Sequence, residues 1–225
     1  MPIFCFHSVR NKLAIPNAAA FPSQAHRDEF EKYLAVDSGW FYQWVEKAHL
    51  VWGSALQVTF DDGFGDVLIP ASVCAGMGIK TTVFVPTAYI GQSFPYAPIR
   101  VVTDQEIRWM AMQGVIVGSH GHVHLPWTER GDGDVEFDIK MSLDHISMLT
   151  AMEESQPVEP PIAPPHGKFL PEHVEMVGDL GGGMVYGTNI FPAGQLNHCH
   201  WRWLANMSGY VKYGETEEVL WDWKD

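Results

Sequence analysis

Two clusters of polar side chains in this chain have the types and spacing for chemistry. The first is the Asp61-Asp62 pair within Val58-Thr59-Phe60-Asp61-Asp62-Gly63-Phe64. Strand-forming residues run into two adjacent carboxylates and a glycine turns the chain, the pattern of a buried strand whose end presents acids at the rim of a sheet or barrel. Neighbouring carboxylates in such a place need a cation or hydrogen-bond donors, although an Asp-Asp pair alone is also a common solvated turn or helix cap. The second cluster is Gly118-Ser119-His120-Gly121-His122-Val123-His124. A spacing of four puts His120 and His124 on one side of a helical turn, while an extended chain would put all three histidines on one face. Either geometry can ligate a metal. Asp62 with His120 and His124 makes a two-histidine, one-carboxylate set with positions left for water and substrate, and His122 then turns outward or supports from behind.

The elements that must carry these clusters alternate along the chain. Residues 3–9 alternate as a first strand ending near His7, and Ser23 caps a helix expected to run to about Val36. A helix over 40–48 leads into the Asp61-Asp62 strand. Further helices are expected over 66–78, from Thr103 or Asp104 to Gly114, from 134 to 154, and over 171–180. Strands are expected over 79–85, 115–118, 184–190 and 198–204, and the tail 215–225 reads as a helix folded back on the body. Alternation of this kind implies parallel strands covered by helices, an α/β class. The number of strands fits a distorted or incomplete (β/α)7-8 barrel better than an open sheet, and with no dividing linker residues 1–225 read as one domain. Neither a GxGxxG nor a P-loop is present, which argues against a nucleotide cofactor.

Composition narrows the partners. The 225 residues carry 14 basic and 27 acidic side chains, a net charge of −13. That balance disfavours nucleic acid and anionic membranes as partners. Three cysteines, Cys5, Cys74 and Cys199, lack metal-finger spacing and read as buried free thiols. No apolar run is long enough for an integral membrane segment, and the first residues lack a secretion signal, so a cytoplasmic location is the expectation.

Thr59-Phe60-Asp61-Asp62-Gly63 followed by Gly118-Ser119-His120…His124 strongly resembles the polysaccharide deacetylases, the NodB-like carbohydrate esterases of family 4. Phe6-His7-Ser8-Val9 looks like the opening strand of many members, and Ala163-Pro164-Pro165-His166-Gly167 looks like the family's third motif. The resemblance covers roughly residues 1–190 and implies the NodB homology fold and metal-dependent hydrolysis of an N-acetyl group on a sugar. Carried over by position, it implies Asp61 as general base, Asp62, His120 and His124 as metal ligands, and substrate contacts around Pro165 and Gly167. The implied cofactor is a divalent metal, Zn²⁺ first, with Co²⁺, Ni²⁺ or Mn²⁺ as alternatives. Such an ion lowers the pKa of its water, a base takes the proton, and the ion with a backbone N–H near His166 stabilises the oxyanion.

The chain departs from the family pattern twice. Position 163 is Ala where many relatives have the arginine that partners the base, and the late Leu-x-x-His motif that supplies the acid has no clear counterpart. The nearest segment is Leu196-Asn197-His198-Cys199-His200-Trp201-Arg202-Trp203, in which a strand puts His198, His200 and Arg202 on one face. His200 is therefore the expected acid, with His166 a second candidate, and Arg202 is expected to replace the missing arginine near the substrate. His7, at a strand end, reads as a support behind the site or a substrate contact, with a packed core histidine as the other reading, and Trp127 is the tryptophan best placed to stack on a sugar. The expected substrate is an amino-sugar glycan of the cell surface or its nucleotide- or lipid-linked precursor, for instance of a lipopolysaccharide O-antigen. Two other readings are a barrel that binds glycan without turnover, suggested by the altered third motif and the unclear acid, and a related deformylase or cyclic amidase.

Overall fold

The strand that ends in Asp61-Asp62 is flanked on both sides by others running the same way, which is what makes its four residues wholly buried. The computed structural model describes residues 2–10, 18–29, 31, 35–187, 199–205, 210–213 and 216–219. Its elements are β1 (Ile3–Phe6), β2 (Ser8–Arg10), α1 (Gln24–Glu29), β3 (Ala35–Asp37), α2 (Ser38–Trp52), β4 (Gln57–Phe60), α3 (Leu68–Gly76) and β5 (Lys80–Val85). They continue with α4 (Asp104–Met112), β6 (Ile116–Ser119), α5 (Asp132–Thr150), α6 (Pro171–Asp179), β7 (Val185–Gly187), β8 (Cys199–Trp201), β9 (Trp203–Ala205), β10 (Tyr210–Tyr213) and β11 (Thr216–Val219).

β1 pairs with β4, β4 with β5 and β5 with β6, all parallel. The ladder then narrows to single bridges, Ser119 to Ile162 and Ile162 to Val185. β7 pairs with β8, and β9, one residue further on, returns to β1. The segment 199–205 thus touches β7 with its first half and β1 with its second, and Arg202 is the residue at which it changes partner, its N–H bonded to Gly187 O. The staves β1, β4, β5, β6, residue 162, β7 and β8–β9 enclose a (β/α) barrel that is incomplete where one residue does the work of a strand. The β10–β11 hairpin continues antiparallel from the free side of β9.

Parallel strands buried on both faces need continuous apolar sequence, and β1 (IFCF) and β4 (QVTF) provide it. Between them and α2, the rings of Phe4, Phe6, Phe41 and Trp44 stack edge to face at centroid distances of 4.9–5.0 Å. Each fully buried ring of this kind contributes about 1.5–3 kcal/mol. α4 opens with a capping box, Thr103 accepting from Glu106 N–H while the Glu106 carboxylate accepts from Thr103 N–H. A second apolar cluster, including Trp127, Val135, Ile139, Ile162 and Val177, joins α5 and α6 to the narrow side of the barrel.

The structure corrects three local expectations. The first strand breaks at His7, because β1 pairs with β4 whereas β2 pairs with β3. Ala35 and Val36, expected at the end of the helix capped by Ser23, lie in a strand instead, since Ala35–Asp37 finds a ladder partner in β2 and long-range pairing overrides helical spacing. In the tail, Thr216–Val219 is a strand and not part of a helix, again because a partner, β10, is available. Cys5 and Cys74 are buried free thiols. Among the described residues no helix is long and apolar enough to cross a membrane.

Candidate active site

The site is assembled at the C-terminal ends of the strands. Beyond β4, Asp61 N–H still bonds to Phe6 O, so Asp61 is held as an extension of the strand. Asp62 then adopts φ 64°, a left-handed conformation that costs a non-glycine residue about 1–2 kcal/mol. Beyond β6, His120 N–H bonds to Val85 O, and the chain doubles back through Gly121 (φ 72°) and His124 (φ 56°). The two imidazoles meet with centroids 4.8 Å apart, brought together by this irregular turn and not by a helix.

Asp62, His120 and His124 each offer a ligand atom, and these atoms lie within 4.8 Å of one another. Asp62 Oδ1 is 3.0 Å from His124 Nε2 and 3.5 Å from His120 Nε2. His120 Nδ1 lies 2.7 Å from the Ala163 carbonyl, which only accepts, so Nδ1 carries the proton and Nε2 is the atom turned to the cluster. His124 Nδ1 is buried with no hydrogen-bond partner among the described residues. A buried carboxylate faced by two imidazole nitrogens, with no Lys or Arg contacting it among the described residues, is a donor set that suits a divalent cation. Burial would raise the Asp62 pKa, but hydrogen bonds from both histidines hold it well below the usual carboxylate range. Burial likewise lowers the His120 pKa, and the two carboxylates more than reverse that, leaving it raised.

Asp61 has a different partner. Arg202 donates Nη2 to Asp61 Oδ2 at 2.8 Å and Nη1 to Oδ1, a two-pronged, fully buried pair. The same Nη1 reaches Cys5 Sγ and Thr59 Oγ1, each at 3.3 Å, and the guanidinium lies over the Phe84 ring at 5.2 Å. Burial pushes the Asp61 pKa up, and the charges of Arg202 and His120 with the Arg202 hydrogen bonds outweigh it, so the group stays lowered and ionised. Ala163, the motif position without an arginine, packs with Ile3, Phe84 and Tyr186, so a long side chain there would meet the rings beneath Arg202.

The other expected site residues distribute as follows. His7 is half-buried between β1 and β2; burial lowers its pKa against the pull of Asp62 and Asp61. Cys5, His7 and Asp61 also bring ligand atoms within 4.8 Å, but Arg202 already supplies a cation there, and burial pushes the Cys5 thiol far up. His166 (φ 56°) sits exposed at the rim with its ring 4.9 Å from that of His124; partial burial and the nearby histidines lower its pKa to about 4, so it is neutral at pH 7. Pro165 and Gly167 are buried, and the Pro165 ring closes over Gly121. His122 turns away to Thr87 Oγ1 at 2.8 Å. Trp127 corrects an expectation. It is 0% exposed and gives its N–H to Asp138 at 3.2 Å, so it has no free face for a sugar. His200 falls in β8 opposite Tyr186, and its side chain lies outside the described residues, as does the whole of His198.

Sequence reasoning misses Cys5 and Asp138. The first has no motif. The second has a faint signal: on α5 an acid shares the buried face with Val135, Ile139, Ser142 and Ile146.

These features coincide with a known family. The polysaccharide deacetylase profile matches residues 53–185, more than half of the sequence, and the chain belongs to that family of glycan-deacetylating hydrolases. Its fold is similar to IcaB from Ammonifex degensii, with 16% identity, 92% of each chain covered and a TM-score of 0.67. It is similar also to the Streptococcus pyogenes deacetylase PplD in complex with acetate, with 17% identity, 91% of this chain and 92% of that one covered, and a TM-score of 0.64. A third likeness is to BC0361, a polysaccharide deacetylase from Bacillus cereus, at 16% identity over 89% of this chain and 63% of the other, with a TM-score of 0.63. No curated protein sequence matches this one.

Proposed function

We propose that this chain is a metal-dependent hydrolase that removes an N-acetyl, or another N-acyl, group from an amino sugar. The observation that carries the reading is the convergence of Asp62, His120 and His124 next to an Asp61 kept ionised by Arg202. Asp62, His120 and His124 would hold the divalent ion, Zn²⁺ first; when bound, it would polarise water and the acyl carbonyl. Asp61 accepts the proton of the water that attacks the acyl carbon. Arg202 keeps that carboxylate oriented through both oxygens, so it meets the water in one geometry. The N–H of Gly167 is engaged by Pro164 O, which leaves the His166 N–H as the donor we assign to the developing oxyanion. The C–N bond then breaks, and the departing amine takes a proton, for which His200 is the assigned donor and His166 the second candidate. His7 and the 165–167 turn line the substrate side.

The substrate class we infer is a surface glycan or its nucleotide- or lipid-linked precursor, such as one feeding an O-antigen, met in the cytoplasm. The binding-only reading draws on the missing arginine at 163 and on the unclear acid; Arg202 on Asp61 speaks against the first, and the second stands until His200 is tested. The test is acetate release by Zn²⁺-loaded protein from N-acetylhexosamine oligomers and from a nucleotide-linked N-acetylhexosamine, assayed side by side with a formamide and a cyclic amide. Release from the N-acetyl sugars that is lost in Asp61→Asn supports the reading. Glycan binding without hydrolysis of any of these compounds would refute it in favour of the binding-only barrel.

A further inference from the structure

The loop that carries His124 makes no ladder beyond Ser119, and two of its residues hold left-handed conformations, so its shape has to be imposed from outside. On one side Thr87 N–H and Ala88 N–H bond to the Gly121 and His122 carbonyls; on the other, the loop's donors converge on one carboxylate of α5. Asp138, 1% exposed in the middle of α5, accepts the Val123 N–H at Oδ1 (3.0 Å) and the Trp127 indole N–H at Oδ2 (3.2 Å). Arg130 Nη1 lies 3.1 Å from the same Oδ1 as an ion-pair partner. All three come from residues 123–130, the stretch that begins one residue before His124. Burying a carboxylate costs several kcal/mol unless it is well paired, and here every partner belongs to this one loop.

The contact is close. A Cβ on Gly121 would stand 2.6 Å from Asp138 Oδ2 and 3.1 Å from Pro165 Cγ, so the loop is pressed between α5 and the 165–167 turn with no room for a side chain. α5 adds a second tie: Ser119 Oγ donates to Ser142 Oγ at 2.7 Å and accepts from Gly121 N–H at 3.0 Å. Asp138 itself is not among the three residues whose ligand atoms converge.

We infer that Asp138 is a positioning residue: by gathering the N–H groups of the 121–130 loop it aims His124 at Asp62 and so sets the affinity of the site for a divalent cation. This rests on the proposed metal centre, and the test separates the two. Full-length, metal-stripped protein is titrated calorimetrically with Zn²⁺ as wild type, Asp138→Asn, Asp138→Ala, His124→Ala and the Asp138→Ala/His124→Ala double variant. Outer partners of metal ligands are worth about 10–100-fold in affinity. Asp138→Asn, whose amide must turn an N–H toward either Val123 or Trp127, is expected near the lower figure and Asp138→Ala near the upper.

With His124 already removed, Asp138→Ala should weaken binding no further, which a general loss of structure would not reproduce. Wild-type affinity in Asp138→Ala, or an equal loss with and without His124, overturns the inference. Absence of any Zn²⁺ site in the wild type would instead overturn the metal centre itself. Should the Asp138 variants not fold, Trp127→Phe removes one donor and keeps a ring in the core. A several-fold weaker site and an altered visible spectrum of the Co²⁺-loaded protein are then expected, and unchanged affinity and spectrum count against the role.

Discussion

Arg202 and Asp61 are 141 residues apart in the chain and meet as a buried, two-pronged ion pair, Nη2 resting 2.8 Å from Oδ2. The arginine lies where the segment 199–205 passes from β7 to β1, so the closure of the barrel and the setting of the candidate base depend on the same residue.

Replacing Arg202 by Ala leaves Asp61 buried without its cation, and breaking such a pair costs about 3–5 kcal/mol. The pH dependence of activity should move as well. Arg202 holds the Asp61 pKa below its ordinary 3.8 against the upward push of burial, so its loss lets that pKa rise. A base must be ionised to act, and the acid limb of kcat/KM is therefore expected at higher pH in Arg202→Ala than in wild type. Arg202→Lys, with a charge but no fork, should fall between the two. The pH–rate profiles of the three proteins check this; coincident acid limbs would show that Arg202 does not tune the base.

Asp62 contributes the only carboxylate of the proposed metal site, so Asp62→Ala should abolish the Zn²⁺ heat signal or weaken binding by at least about 100-fold. Chelation of the wild type should stop acetate release, and added Zn²⁺ should restore it. Activity that persists through exhaustive chelation, with metal content confirmed to be nil, would remove the metal from the reaction.

How much of this was legible in the sequence follows from how far apart the cooperating residues lie. Asp61 with Asp62, and His120 with His124, are contiguous motifs at strand ends, and local pattern sufficed to group them. Arg202 was within reach because strand alternation put it on the face of His200, although its contact with Asp61 is a matter of barrel closure. Asp138 was not legible as an anchor, since its partners lie 8 to 15 residues upstream on a loop with no periodicity. Trp127 reads as a substrate platform from the sequence because an aromatic beside a polar cluster looks like one, and exposure is a tertiary property. The same physics makes Ala35 and Val36, and Thr216–Val219, strand where a helix is expected: short segments take the conformation that their distant partners, β2 and β10, offer.

The two candidates for the departing amine's proton can be told apart. With a pKa lowered to about 4, His166 carries no spare proton at pH 7, so His166→Ala should leave the basic limb of the rate profile in place. His200→Ala should instead cost about 10²-fold or more in kcat and abolish that limb, with Zn²⁺ affinity retained. A His200→Ala enzyme with wild-type kcat would exclude His200 as the acid.

The last prediction concerns stability around the turn that follows Asp62. Arg100 bonds both Glu106 carboxylate oxygens, at 2.6 and 2.8 Å, while Gly65 N–H bonds to Arg100 O, so the α4 cap braces the Gly63–Gly65 turn. The Arg100 hydrogen bonds, resisted by burial and helped by Thr103, lower the Glu106 pKa from 4.5 to about 2. A carboxylate whose folded pKa lies below its unfolded one stabilises fully above about pH 4.5 and loses that contribution as pH falls toward 2. Arg100 is substantially exposed, and solvent screening limits an ion pair of this kind to about 1 kcal/mol or less, with the cap adding a similar amount. Glu106→Gln should therefore lower Tm at pH 7 by a few degrees. The gap between variant and wild type should close as the pH is taken from 4.5 toward 2, because the wild type is then losing what the variant never had. Thermal melts at pH 7, 4.5 and 3 measure it, and a Tm difference that stays constant across those three values would contradict the assigned ion pair.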